Sequence, residues 1–74
     1  MSMIQSILVV EDDRNARNAL KKALSREGYL VGTAETFAGA TEALSERRFD
    51  LALCDVVLPD GDGLDLIEIF RKAK

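Results

Sequence analysis

Apolar residues fall along the chain in two alternating rhythms. Ile7-Leu8-Val9-Val10 is a continuous apolar run, the pattern of a strand buried on both faces in a parallel sheet. It halts at Glu11-Asp12-Asp13. Beyond it, Ala16, Leu20, Ala23 and Leu24 recur at i, i+4, i+7 and i+8, the spacing of one helix face. Asp13 is placed to cap that helix, and Gly28 to end it in a left-handed turn. Tyr29 to Ala34 reads as a second strand interrupted by Gly32. Thr36 then caps a second helix, with Phe37, Ala40 and Leu44 inward and Arg47 and Arg48 in its last turn. Leu51-Ala52-Leu53-Cys54 is a third buried strand, ending at Asp55. Val56 to Asp62 reads as a loop holding Pro59 and Gly61, and a third helix runs from about Gly63 to the end.

Strand and helix thus alternate three times. Such alternation gives an α/β fold with a parallel sheet and right-handed crossovers. Ligands of open sheets of this kind sit at the carboxyl ends of the strands. Glu11-Asp12-Asp13 follows the first strand and Asp55 follows the third. If these strands are neighbours, several carboxylates meet at one sheet edge. Two such charges about 5 Å apart repel by roughly 3 kcal/mol at an effective dielectric near 20. A cation relieves that repulsion, and hard oxygen donors suit Mg²⁺. A Mg²⁺ with open positions can clamp a phosphoryl group, and a neighbouring carboxylate can act as its nucleophile. The competing reading of the same acids is solvated loop charge and, for Asp13, helix capping.

Composition narrows the classes. The 74 residues, 47% of them hydrophobic, allow one small domain with an ordinary apolar content. With 10 Lys+Arg against 13 Asp+Glu the net charge is −3, which argues against nucleic acid or an anionic membrane surface as partner. There is no His, so the chain cannot itself carry a phosphohistidine. One cysteine, Cys54, makes no internal disulfide, and a reducing cytoplasm is expected. Met1 to Ser6 does not read as a signal peptide. Apolar runs of about four residues fall far short of the roughly 20 that span a bilayer. Cys54, Phe37, Phe49 and Phe70 read as core or interface, Arg14, Arg17, Arg47 and Arg48 as solvated helix charges.

Ile7-Leu8-Val9-Val10-Glu11-Asp12-Asp13, taken with Asp55-Val56-Val57-Leu58-Pro59-Asp60-Gly61-Asp62-Gly63, resembles the receiver domain of bacterial two-component response regulators. The two segments together are more specific than either alone. The resemblance implies a flavodoxin-like (βα) sheet with strand order 2-1-3, residues 1–74 forming the N-terminal part of a receiver built of five strand–helix units. It implies that Asp55 is the phosphoacceptor. It also implies that Asp12 binds Mg²⁺ directly, Glu11 through water, and that Asp55 and the Val57 backbone carbonyl complete the protein ligands. Pro59 and Gly63 match residues that shape the loop. No ligand role passes to Asp13. The phosphate-binding Ser or Thr and the Lys of a complete receiver have no counterpart here, and the conformational readout is expected to be missing.

The implied function is that of a phosphoacceptor module of a phosphorelay, not an enzyme. Its partners would be a sensor histidine kinase or phosphotransfer protein, with Arg14, Asn15 and Asn18 as candidate contacts. A bare third strand invites another chain. A homodimer is therefore expected through residues 51–54 and through Leu66, Ile67, Ile69 and Phe70 of the third helix, giving a sheet of order 2-1-3-3′-1′-2′ with an antiparallel centre. Leu64, Leu66, Ile67, Ile69, Phe70 and Ala73 spread too widely around that helix for one covered face. Two other functions compete. One is an unphosphorylated half-domain that only self-associates. The other is a Mg²⁺-dependent phosphohydrolase, whose usual Asp-x-Asp motif Glu11-Asp12-Asp13-Arg14 does not match.

Overall fold

Leu8, Val9 and Val10 lie among the most deeply buried residues of the molecule, as a run apolar on both faces requires. The computed structural model describes residues 4–55 and 57–73. Val56, read above as the first loop residue, lies outside them, as does the side chain of Ala73, counted above in the apolar face of the third helix.

Strand β1 (Ser6–Val10) leads to helix α1 (Arg14–Arg26), then β2 (Leu30–Ala34), α2 (Phe37–Glu46) and β3 (Leu51–Cys54). A small hairpin, β4 (Val57–Leu58) and β5 (Gly61–Asp62), precedes α3 (Gly63–Ala73). The main sheet has order β2-β1-β3 and is parallel, Leu8 lying between Gly32 and Ala52. This is the 2-1-3 order that the resemblance implies.

Strand alternation divides the core. Leu8 and Val10 join Ala34, Ala40, Leu44, Phe49, Leu58 and Leu66 in one cluster, the face that α2 and α3 cover. Ile7 and Val9 point the other way, where α1 lies over β1 and β2. It does not cover β3, so Leu51 and Leu53 are each 37% exposed. The inner face expected for α1 is correspondingly open: Leu20 is also 37% exposed, Ala23 is exposed, and no residue of the helix is fully buried.

The ends of α1 follow the sequence. The Asp13 carboxylate accepts from the amides of Asn15 at 2.9 Å and Ala16 at 3.3 Å. At the other end Gly28 has φ +96°, the left-handed conformation that suits glycine. Its amide donates to the Ser25 carbonyl and that of Tyr29 to the Leu24 carbonyl, the two bonds of a Schellman motif. Gly32 does not break its strand. A Cβ there would sit 2.8 Å from Phe49 Cζ, so the glycine makes room for a buried ring.

Other expectations are corrected. Helix α2 ends at Glu46 with Arg47 as its C-cap, so neither Arg47 nor Arg48 lies in its last turn. The Arg47 guanidinium instead stacks 4.5 Å from the centre of the Phe49 ring, a cation–π contact rather than a freely solvated charge. The segment read as a loop contains the hairpin, Val57 pairing with Asp62 and Leu58 with Gly61, and Leu58 enters the core. Leu66, expected at an interface between copies, is 2% exposed in this chain's own core. Its periodic position faces the core cluster of Leu8, Leu44 and Leu58 on the side where α3 packs against α2. Ile69 and Phe70 pack partly against the same core, while Ile67 and Leu64 stay exposed.

Candidate metal centre

The sheet ladder runs one residue past the strands at both positions that matter. The Glu11 amide donates to the Ala34 carbonyl and the Asp55 amide to the Val10 carbonyl, both at 3.0 Å. Glu11 and Asp55 are therefore held by the rigid edge of the sheet. At the far end of the same strands, the Asp50 carboxylate accepts from the amides of Gln5 at 2.8 Å and Ser6 at 3.0 Å. The Asp50 amide in turn donates to the Ser6 carbonyl. This clamp aligns β3 with β1 and thus Asp55 with Glu11.

Glu11, Asp12 and Asp55 each bring a carboxylate oxygen to within 4.8 Å of the others. The convergence expected from the strand ends is present. Three carboxylates this close repel one another, and the donor set is all hard oxygen, which fits a divalent cation of the Mg²⁺ or Ca²⁺ type. Glu11 Oε2 also accepts from the Asp13 amide at 3.0 Å. Asp13 itself turns away to cap α1. An open groove lined by Val10, Glu11, Leu20, Leu53, Cys54 and Asp55 adjoins the cluster. Burial, followed by the charges of Asp55 and Glu11, pushes the Cys54 thiol up from its ordinary value.

Val57, Pro59 and Gly63 lie along the segment after Asp55. Val57 opens the hairpin with its side chain 75% exposed, Pro59 stands at the tip, and Gly63 begins α3. None contributes a side-chain ligand, as their expected roles require none.

Two site residues escaped the sequence reading. Arg17, read as a solvated helix charge, donates to the carbonyls of Glu11 at 3.0 Å and Asp12 at 3.4 Å. It also pairs with Glu35 at 3.6 Å. It braces the backbone of the acidic pair. The second is Asp60, whose carboxylate accepts from the amides of Phe37 at 2.6 Å and Ala38 at 3.0 Å. These bonds hold its carboxyl below the ordinary aspartate range. Arg17 sits one turn into α1, so a bond back to the preceding loop was within reach of a local reading. Nothing local points to Asp60, whose partners are more than twenty residues earlier.

A family model described as the response regulator receiver domain matches residues 7–74. The chain belongs to this family. Among receiver relatives, the response regulator receiver protein CpdR of Brucella abortus (strain 2308) is 43% identical over 63 residues, 85% of this chain and 52% of CpdR. The receiver chain thus spans about half the length of that curated relative. A response regulator from Burkholderia pseudomallei, solved with a phosphorylated aspartic acid, calcium ion and citrate, superposes at TM-score 0.89 and 26% identity, covering 95% of this chain and 41% of that one. A solved complex of histidine kinase ThkA with response regulator protein TrrA gives TM-score 0.76 at 38% identity, covering 96% of this chain and 61% of that one.

Proposed function

We propose that this receiver chain accepts a phosphoryl group on Asp55 with Mg²⁺ as cofactor, and that residues 1–74 form the N-terminal part of a receiver domain. The observation that carries the reading is the convergence of Glu11, Asp12 and Asp55 within 4.8 Å. Asp12 and Asp55 would hold the cation directly, Glu11 through water, and the Val57 carbonyl would complete the protein ligands. Pro59 and Gly63 shape the segment between. When bound, Mg²⁺ supplies charge neutralisation at the acceptor and phosphoryl oxygens.

The residues' own part is positional. The ladder bond from Asp55 to Val10 keeps the acceptor carboxylate on the sheet edge. One Asp55 oxygen then attacks the phosphorus in line with the departing donor atom, and placement supplies most of the advantage. Arg17 holds the two carbonyls beneath the acidic pair, so Glu11 and Asp12 keep their spacing. The donor is a phosphohistidine of a sensor kinase or phosphotransfer protein. The likeness to a regulator solved with a phosphorylated aspartic acid and to one bound to a histidine kinase supports this reading. The module is a phosphoacceptor rather than an enzyme and acts in the cytoplasm. Among the described residues no helix is long and apolar enough to cross a membrane.

The test is incubation with Mg²⁺ and acetyl phosphate, read by intact mass. A phosphoryl adduct on the native chain and none on Asp55→Asn is expected. The same mass gain in both chains, or no gain in either, would end the reading.

Self-association stands beside it as a second activity. Its support is the outer edge of β3, with Leu51 and Leu53 exposed and Leu20 lining one groove with Leu53. Residues 51–54 would pair across a two-fold axis, with Ile67 rather than the buried Leu66 free to join from α3. Light scattering after size exclusion tests it, a dimer being expected and a folded monomer overturning it.

A further inference from the structure

The hairpin behind Asp55 is fixed at three points. Leu58 enters the core. The Asp62 carboxylate accepts from the Leu64 amide at 2.9 Å, tying its base to the start of α3. At its tip, Asp60 reaches across to α2. The first i→i−4 bond of helix α2 runs from the Ala40 amide to the Thr36 carbonyl at 3.0 Å, so the amides of Phe37, Ala38 and Gly39 have no partner among the helix carbonyls. That of Gly39 is taken by the Thr36 hydroxyl at 2.9 Å. Those of Phe37 and Ala38 go to the two Asp60 oxygens. The cap of α2 is therefore shared between its own N-cap residue and a residue of the hairpin. Contact is close: a Cβ on Gly61 would lie 2.6 Å from the Phe37 ring.

We propose that Asp60 is a positioning residue for the cation site: by capping α2 from the hairpin tip it fixes the segment that carries the Val57 carbonyl. The inference rests on the Mg²⁺ reading given above. A backbone carbonyl has no side-chain rotamers with which to adjust, so its placement is that of the main chain. Val57 lies two residues after Asp55 and three before Asp60, between the sheet edge and the α2 clasp. The negative charge at the positive end of α2 reinforces the clasp, and the lowered proton affinity of Asp60 agrees with it. Releasing the tip removes the hairpin's polar attachment to α2 and leaves its base, Leu58 and the apolar contact of Gly61 with Phe37.

The experiment is titration of the 74-residue chain with Mg²⁺, followed by backbone amide shifts, in five forms: native, Asp12→Asn, Asp60→Ala, Asp60→Asn and Thr36→Ala. Asp60→Ala is expected to weaken Mg²⁺ roughly tenfold, in the range seen when groups supporting metal ligands are removed. Asp60→Asn, which keeps a neutral acceptor, falls between it and the native chain and serves if the alanine variant does not fold. Thr36→Ala removes a cap from the same helix without touching the hairpin, and should lower stability while leaving affinity unchanged. Native affinity in both Asp60 variants, or an equal loss in Thr36→Ala, would overturn the inference while leaving the cation site standing. No binding by the native chain, or binding indifferent to Asp12→Asn, would overturn the cation site and the inference with it.

Discussion

Asp50 and Ser6 are joined in both directions: the Asp50 carboxylate accepts from the Ser6 amide at 3.0 Å, and the Asp50 amide donates to the Ser6 carbonyl at 3.0 Å. The same carboxylate takes the Gln5 amide. Asp50→Ala leaves the partly buried Ser6 amide without its side-chain acceptor, at a cost of about 1–3 kcal/mol. A lower urea midpoint with an unchanged slope is expected. An unchanged midpoint would show that the clamp contributes nothing to β3 docking.

Gly32→Ala is expected to destabilise by about 1–3 kcal/mol, the range for overpacking a filled core. The added methyl would stand 2.8 Å from Phe49 Cζ and 2.9 Å from Cε1. Phe49→Leu in the same chain should recover part of the loss. Thermal unfolding of the two single variants and the double variant reads the coupling.

Asp60 gives stability a defined pH dependence. Its proton affinity is lowered on folding by the amides of Ala38 and Phe37, from an ordinary value of 3.8. Its contribution is therefore fully present above that value and fades as pH falls through the lower value of the folded chain. The difference in melting temperature between native and Asp60→Asn chains should be constant near neutrality and shrink on acidification below pH 3.8. A difference that grew with acid would contradict the capping geometry.

Cys54 should alkylate slowly with iodoacetamide at mildly alkaline pH, because burial and then the Asp55 and Glu11 charges disfavour its thiolate. The urea-unfolded chain should react faster, and folded Asp55→Asn faster than the folded native chain. Mass spectrometry over time follows both. Equal rates in folded Asp55→Asn and native chains would remove the Asp55 contribution.

Much of this architecture is written in short-range pattern. The run Ile7 to Val10, the cap at Asp13 and the turn at Gly28 depend on residues adjacent or one helical turn apart. Periodicity and turn chemistry report such neighbours. The meeting of Glu11, Asp12 and Asp55 was legible because parallel strands put their carboxyl ends on one edge. Asp50, Asp60 and Gly32 were not legible in the same way. Each answers to a group more than fifteen residues away: Ser6, Phe37 and Phe49 respectively. Leu66 illustrates the remaining gap. Its spacing marks it as apolar-facing, but whether its cover is this chain or another depends on how α3 lies against α2. The small hairpin hides for a related reason, since two-residue strands are too short to show an alternation.

The bond from the Asp55 amide to the Val10 carbonyl has a bearing on how this chain can change over generations. Loops nearby can lengthen or shorten while the acid stays anchored. A single residue inserted within β3, by contrast, would rotate that carboxylate to the opposite side of the pleat. An insertion inside the strand is thus the change that this arrangement can least absorb.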